Sequence, residues 1–407
     1  MAACEVWTST QRHVVTASFL GWMLDAFDFF LVVFVLNQLS KEFNVGVPAV
    51  SEALFLTLAM RPVGALLFGR IADHFGRRPA LMISVVFYSI AELATAASPS
   101  LTVFLILRAL FGVGMGGVWG VGASLAFETV PVSSRGFVSG LLQVGYPCGY
   151  LLASILYGLL FDRIGWRGMF ILGALPALLV FYIRSSVPES SVWTEMRARP
   201  NATSLWRSLS GHWGLALYAM VLMACFNFFS HGTQDLYPTF LQKQHGFSTH
   251  TTAQIAITYN VGAICGGLLF GTLSSRMGRR MMIALASALS LLAIPFWAYS
   301  STVLALAAGA FVMQLMVQGA WGVVPAHLNE LAPAGMRATF PGVVYQLGNL
   351  IASKNSVWQA NIAAQHGSAA QPDYSFALAL VGGIAAVLLV ALSLAGPEKR
   401  GVHFGNQ

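Results

Sequence analysis

Stretch after stretch of this sequence runs apolar for about 20 residues, the length at which a helix rising 1.5 Å per residue crosses a hydrocarbon core. Of 407 residues, 57% are hydrophobic and 9% charged, whereas a soluble domain carries roughly 25% charged residues. No soluble fold of this length has interior enough to hide that apolar surface, so lipid is the solvent. The net charge of +7 does not point to nucleic acid, because the basic residues sit in short clusters between apolar runs rather than along one stripe. Cys4, Cys148, Cys225 and Cys265 are scattered and show neither disulfide nor zinc spacing. The first run is too long for the apolar core of a cleaved leader and no small-x-small site follows it, so it is expected to stay as a span.

A window of roughly 19 residues predicts twelve spans, over 14–36, 50–72, 79–97, 101–124, 138–160, 167–187, 215–240, 252–275, 281–299, 303–326, 339–360 and 374–396. The polar stretch 188–213, with Pro188, Pro200 and several arginines, reads as a cytoplasmic linker between an N-terminal bundle, 1–187, and a C-terminal bundle, 214–407. Lys and Arg set the orientation. An inside N-terminus gathers Arg12, Arg70, Arg77, Arg78, Arg135, Arg184, Arg197, Arg199, Arg207, Arg276, Arg279, Arg280, Arg337, Lys399 and Arg400 in the cytoplasm. It leaves Lys41, Arg163, Arg167 and Lys243 outside, a strong positive-inside bias with both termini cytoplasmic. The sequon Asn201-Ala202-Thr203 then falls on the inner side and reads as chance.

The chain repeats itself at a constant register. Gly69, Gly76, Arg77 and Arg78 recur 202 residues later as Gly271, Gly278, Arg279 and Arg280. At the same offset Trp119, Gly120, Glu128, Pro131, Arg135 and Gly140 become Trp321, Gly322, Glu330, Pro333, Arg337 and Gly342. One unbroken offset means a duplicated six-helix unit, a plan used by transporters that bind at midplane between the halves.

The segment Gly69-Arg70-Ile71-Ala72-Asp73-His74-Phe75-Gly76-Arg77-Arg78 resembles the loop signature of the major facilitator superfamily between spans 2 and 3. In the second copy Ser275 replaces Asp73, so the acidic clamp is expected on one side only. Arg108, in Arg108-Ala109-Leu110-Phe111-Gly112-Val113-Gly114, resembles the superfamily's span 4 pattern and implies a proton-coupling or structural arginine. A narrower likeness begins the second half. Asn227-Phe228-Phe229-Ser230-His231-Gly232-Thr233-Gln234-Asp235-Leu236-Tyr237-Pro238-Thr239 resembles the signature of the lactate/pyruvate proton symporters within the sialate:proton symporter group. That resemblance implies proton-coupled uptake of a monocarboxylate that needs Asn227, His231 and Asp235. It also places Arg61, Gln346 and Asn349 among substrate-handling residues. The short loops resemble the bacterial members and imply the inner membrane, while the wider group includes sialic acid carriers.

The residues point to the same chemistry independently, because ionisable groups inside a membrane are expensive. Asp25 and Asp28 lie three apart on one face of span 1. Burial disfavours a charged carboxylate, which suits reversible protonation; the alternative is that a nearby arginine holds both ionised. Asn227, His231 and Asp235 form one stripe of span 7, with Ser230 and Gln234 beside it. The repeat offset sets this stripe opposite Asp25 to Val33, so spans 1 and 7 are expected to face each other across a cavity. The stripe reads as a site or as polar helix-to-helix glue. Arg61, just before Pro62 in mid-span, offers a planar fork for a carboxylate, with Asp25 or Asp28 as counter-ion in the empty state, or else forms a permanent structural ion pair. Gln346 and Asn349 could orient the substrate's hydroxyl or carbonyl. Lys354 has no clear place, and Glu92 reads as a structural partner.

Gly112, Gly114 and Gly117 spell a dinucleotide fingerprint, but inside a span with no preceding strand, so they read as helix packing. Trp119 and Trp321 likewise read as packing residues. The pairs Gly145 with Pro147 and Pro341 with Gly342 mark expected bends. No P-loop, nucleophile elbow or metal cluster is present in the sequence. The chain is therefore expected to be an all-α membrane protein of two pseudo-symmetric six-helix bundles, not an enzyme, and to work without a cofactor as a monomer. Its expected partners are a small organic anion, a proton and the bilayer, with gating contacts around Gly69, Asp73, Gly76, Arg77, Arg78, Arg108, Glu128, Arg135, Glu330 and Arg337. An exporter of hydrophobic cations fits poorly with Arg61, and tails of roughly a dozen residues leave little for the output domain of a nutrient sensor.

Overall fold

The computed structural model describes residues 7–197, 211–333, 335–367 and 371–402. Cys4, Arg199, Pro200, Arg207 and the sequon lie outside the described residues. The N-terminal half comprises α1 (Ser9–Glu42), α2 (Val47–Phe75), α3 (Arg77–Ala96), α4 (Leu101–Thr129), α5 (Arg135–Leu172) and α6 (Ala177–Ser186). A short α7 (Ser191–Arg197) follows, within the expected linker. The C-terminal half comprises α8 (Trp213–Gln234), α9 (Tyr237–Lys243), α10 (Thr249–Met277), α11 (Arg279–Ala298), α12 (Val303–Trp321), α13 (Val324–Leu331), α14 (Thr339–Ala352), α15 (Asn355–His366) and α16 (Tyr374–Ala395).

Ten segments among the described residues are long and apolar enough to cross a membrane. The sequence reading missed the interruptions. Span 6 is the end of α5, a turn before Pro176, and α6; within α5, Gly165 breaks the helix at φ 62°. Span 7 is divided at Asp235 and Leu236, ahead of Pro238, whose missing N–H cannot bond back to Gln234. Span 10 is divided in the same way ahead of Pro325. Span 11 is interrupted at Ser353 and Lys354. Pro341 is not a bend, since it sits in the first turn of α14, where its missing N–H costs nothing.

The duplication is visible in the packing. Gly64 of α2 lies so close to the Val113 carbonyl of α4 that a Cβ there would collide with it, and Gly266 meets the Leu315 carbonyl in the same way 202 residues on. Gly117 against Phe68 recurs as Gly319 against Phe270. The fingerprint glycines Gly112 and Gly114 let α4 approach Thr57 and Tyr88, which is packing as expected. Gly76 and Gly278 cap the ends of α2 and α10 at φ 115° and 102°, a region that favours glycine, and each begins the next helix. Each half has its own apolar core, one around Tyr88, Phe111 and Phe127, the other around Phe226, Trp297 and Tyr237.

Candidate substrate and proton site

Midway along α2, Arg61 is 2% exposed. Its Nη2 donates to Met115 Sδ at 2.6 Å and its Nε to the same sulfur at 3.2 Å, and its guanidinium carbon lies 5.1 Å from the Phe29 ring. The expected counter-ion contact is absent: among the described residues Arg61 makes no ion pair, and neither Asp25 nor Asp28 hydrogen-bonds to it. The thioether and the ring hold the guanidinium against α4 and α1, one step from the carboxylates. Arg61 still feels Asp25, Tyr146, Tyr345 and His231 electrostatically, which puts it at the meeting of the two halves.

A second buried group lies deeper in the N-terminal half. Arg108 Nη1 donates to Glu92 Oε2 at 2.5 Å, and its guanidinium carbon stacks 3.9 Å from the Phe111 ring. Glu92 is thus Arg108's ion-pair partner, but one of its oxygens is left over. Among the described residues Glu92 Oε1 and both oxygens of Asp28 have no hydrogen-bond partner, nor does the Tyr88 hydroxyl. A Cβ on Gly173 would lie 3.0 Å from both Asp28 Oδ1 and Glu92 Oε1, so these two free oxygens converge on the span 6 turn.

Across the interface α8 and α14 share a polar chain. His231 Nδ1 lies 3.2 Å from Asp235 Oδ1 and Nε2 lies 3.2 Å from Asn349 Oδ1, while Asp235 Oδ2 accepts from Ser356 at 2.8 Å. Facing two acceptors, a charged imidazolium donates twice; with the Asn349 amide turned over, the neutral ring keeps both partners. The side chains of His231 and Asp235 are only partly covered, at 29% and 35% exposed. Asn227, by contrast, is buried and donates to Met223 O of its own helix at 2.8 Å. Gln346 is buried, and its Oε1 has no hydrogen-bond partner among the described residues. Lys354 is exposed at the break between α14 and α15.

Residues 18–353 match the model of the Major Facilitator Superfamily. The chain belongs to that superfamily. A carboxylic acid transporter protein homolog of Saccharomyces cerevisiae is 31% identical over 415 residues, covering 94% of this chain and 67% of that one. The sialic acid transporter NanX of Escherichia coli is 26% identical over 344 residues, covering 83% and 84%. The fold is that of the proton:xylose symporter XylE, with TM-score 0.74 at 18% identity over 98% of both chains. The human organic anion transporter MFSD10 gives 0.72 at 16% identity over 93% and 99%. These relatives and neighbours are transporters, not enzymes.

In this superfamily member the signature loops close the arginine-rich face. Asp73 accepts from the backbone of Ala338 and Thr339 and, at 2.5 Å, from the Thr339 hydroxyl, so it caps α14 of the other half. It also pairs with Arg77 at 3.0 Å, and Arg77 reaches Glu128 at 2.9 Å. The second copy repeats Arg279 with Glu330 at 3.0 Å, but in place of the carboxylate stands the Ser275 hydroxyl, which accepts from Gly136 N at 3.1 Å and from Arg279 Nη1 at 3.5 Å. The acidic clamp is one-sided, as its sequence implies. Arg135 lies 3.9 Å from Glu330 across the interface, and the Ser124 hydroxyl donates to Arg337 O at 2.5 Å. Arg78 donates to the Arg184 carbonyl at 2.5 Å.

Sequence reading missed the aromatic floor. Tyr345 has Trp119 at 4.7 Å, Trp321 at 5.6 Å and Trp22 at 6.4 Å between ring centroids, and Trp22 stacks on Tyr146 at 5.7 Å. Trp22 Nε1 and Trp321 Nε1 are buried without hydrogen-bond partners among the described residues. The repeat relation of Trp119 and Trp321 was the available signal, since a pair symmetric about the central axis meets at the midplane.

Proposed function

We propose that the chain is a proton-coupled symporter of a small monocarboxylate of the lactate/pyruvate class, working by alternating access of a bundle 1–187 against a bundle 214–407 about the linker 188–213. The observation that carries the reading is Arg61, a buried guanidinium with no ion pair among the described residues. A buried cation is normally paired, and the substrate carboxylate supplies the partner through two parallel N–H donors. Gln346, Asn349, His231 and the free indole N–H groups of Trp22 and Trp321 surround a small hydroxyl or carbonyl. The names of a carboxylic acid transporter homolog and of NanX among the relatives support an organic acid.

Charge balance supports the proton. Asp25, Asp28 and Glu92 are three fully buried carboxyl groups facing two buried cations, Arg61 and Arg108. One proton makes the cluster neutral when the cavity is empty. Arrival of the anion on Arg61 then calls for a second positive charge, which Asp25 or the Asp235–His231 pair takes as a proton. Co-transport of one proton with one anion is electroneutral. The protein sits in a bacterial inner membrane with both termini cytoplasmic, acts as a monomer, and draws on the proton gradient with no cofactor. Asn227, tied to its own helix, shapes the site rather than reaching the substrate.

Uptake of labelled L-lactate by purified protein in liposomes tests this. Acid-stimulated, protonophore-sensitive accumulation is expected, and pH-independent uptake would overturn the coupling. If sialic acid is accumulated and lactate, pyruvate and acetate are not, the sialic acid reading that NanX favours replaces the monocarboxylate one.

A further inference from the structure

A groove of about 560 Å³ runs along the flank of the molecule where the two halves meet. α2 contributes Leu66 and Arg70, α8 contributes Trp213 and Leu217, and α14 contributes Phe340 and Val343. Leu66, Trp213 and Leu217 are each at least half exposed, so the groove opens sideways into the hydrocarbon region. Its walls are almost wholly apolar, and among the described residues that line it the one charge is Arg70 at the arginine-rich end. Arg70 is exposed and has neither hydrogen bond nor ion pair among the described residues, whereas Arg77 and Arg78 beyond it are both engaged. Arg70 therefore ends an oily slot with a free guanidinium at headgroup depth, beside a tryptophan of the kind that sits at that interface.

We infer that an anionic phospholipid occupies this groove, its phosphate on Arg70 and one acyl chain between α2, α8 and α14. The slot demands an aliphatic chain joined to a negative head. A zwitterionic lipid fits the walls equally well but returns a compensating positive charge next to Arg70, so the preference is for net negative headgroups. The site also spans the moving parts. α2 belongs to one half and α8 and α14 to the other, and Thr339, which Asp73 grips, lines the groove. Parting α2 from α14 takes the groove apart, so a bound lipid favours the state in which the arginine-rich face is closed.

Quenching of Trp213 by brominated lipids tests the assignment on full-length protein. The chain has 10 tryptophans, so the Trp213 signal is taken as the difference between the wild type and Trp213→Phe. In phosphatidylethanolamine vesicles, brominated phosphatidylglycerol is expected to half-quench that signal at about one-fifth the concentration needed for brominated phosphatidylcholine, the preference one guanidinium near the surface supplies. Arg70→Gln removes the preference and Arg70→Lys restores most of it. Val343→Phe, which fills the groove, weakens quenching by both lipids. Equal quenching by the two lipids, a preference that survives Arg70→Gln, or no quenching because the chain's own residues cover Trp213 would each overturn the proposal. None of these readouts depends on which substrate is carried.

Discussion

Arg61 and Arg108 are both buried arginines, 47 residues apart in the sequence, yet they do different things because of what surrounds them. Arg108 has a carboxylate at 2.5 Å and an aromatic face beneath it. Arg61 has a thioether and a ring, contacts that a substrate carboxylate can displace or join. Arg61→Lys is therefore expected to cut the initial rate of acid uptake by about 10- to 100-fold, the worth of one charge-assisted hydrogen bond at 1.5–3 kcal/mol. Expression level and thermal midpoint should stay near wild type, and uptake within twofold of wild type would argue that the anion binds elsewhere. Arg108→Gln is expected to act on stability instead. Breaking one side of a buried pair costs about 3–5 kcal/mol, and adding Glu92→Gln should restore part of it in a double-mutant comparison of melting in detergent.

At the scale of the element, the helices owe their closeness to glycines that repeat. Gly64 and Gly266 occupy equivalent places in α2 and α10, each under a carbonyl of the next helix but one, so a valine at either has nowhere to go. Gly64→Val and Gly266→Val are both expected to lose roughly 1–3 kcal/mol or more through overpacking, read as a fall in monodisperse yield. Gly158→Val, with nothing near its added Cβ, should match wild type. Unequal effects of the first two would mean that the halves are less alike than their packing. The interrupted spans follow a different logic. Pro238 and Pro325 each remove one backbone bond, and the loosened turns stand beside the polar chain of α8 and above Glu330. Irregular backbone at membrane depth is tolerated where protein or a wet cavity covers it.

Taken whole, the molecule is closed on its arginine-rich face, where Asp73, Ser124, Arg135 and Gly136 of one half meet the other. Among the described contacts that close it, Asp73 on the start of α14 makes three hydrogen bonds to the other half. Asp73→Ala is expected to raise the population open on that face. Spin labels at Phe75 and Met277, equivalent positions at the ends of α2 and α10, would report it in a cysteine-free background as growth of a longer-distance component. An unchanged distance distribution would show that the glycine packing of Gly120 and Gly342 and of Gly136 and Gly271, with the Ser124 and Ser275 hydrogen bonds between the halves, holds the face shut without Asp73.

Apolar length and the 202-residue offset determined the membrane setting, the helical class and the twofold plan from sequence alone, because crossing a bilayer and duplicating a unit both leave a period in the chain. The same reading singled out Arg61, His231, Asp235, Gln346 and Asn349, partly because a polar group in an apolar run is conspicuous and partly through the resemblance of their segments to a known family. Pairing was decided only in three dimensions. That Glu92 and not Asp25 takes an arginine, that Asn227 turns back on its own helix, that Tyr345 sits between Trp119 and Trp321, and that Arg70 stands free at a groove all depend on side chains far apart in sequence. Their distances are set by how two bundles pack, and no local period encodes that packing.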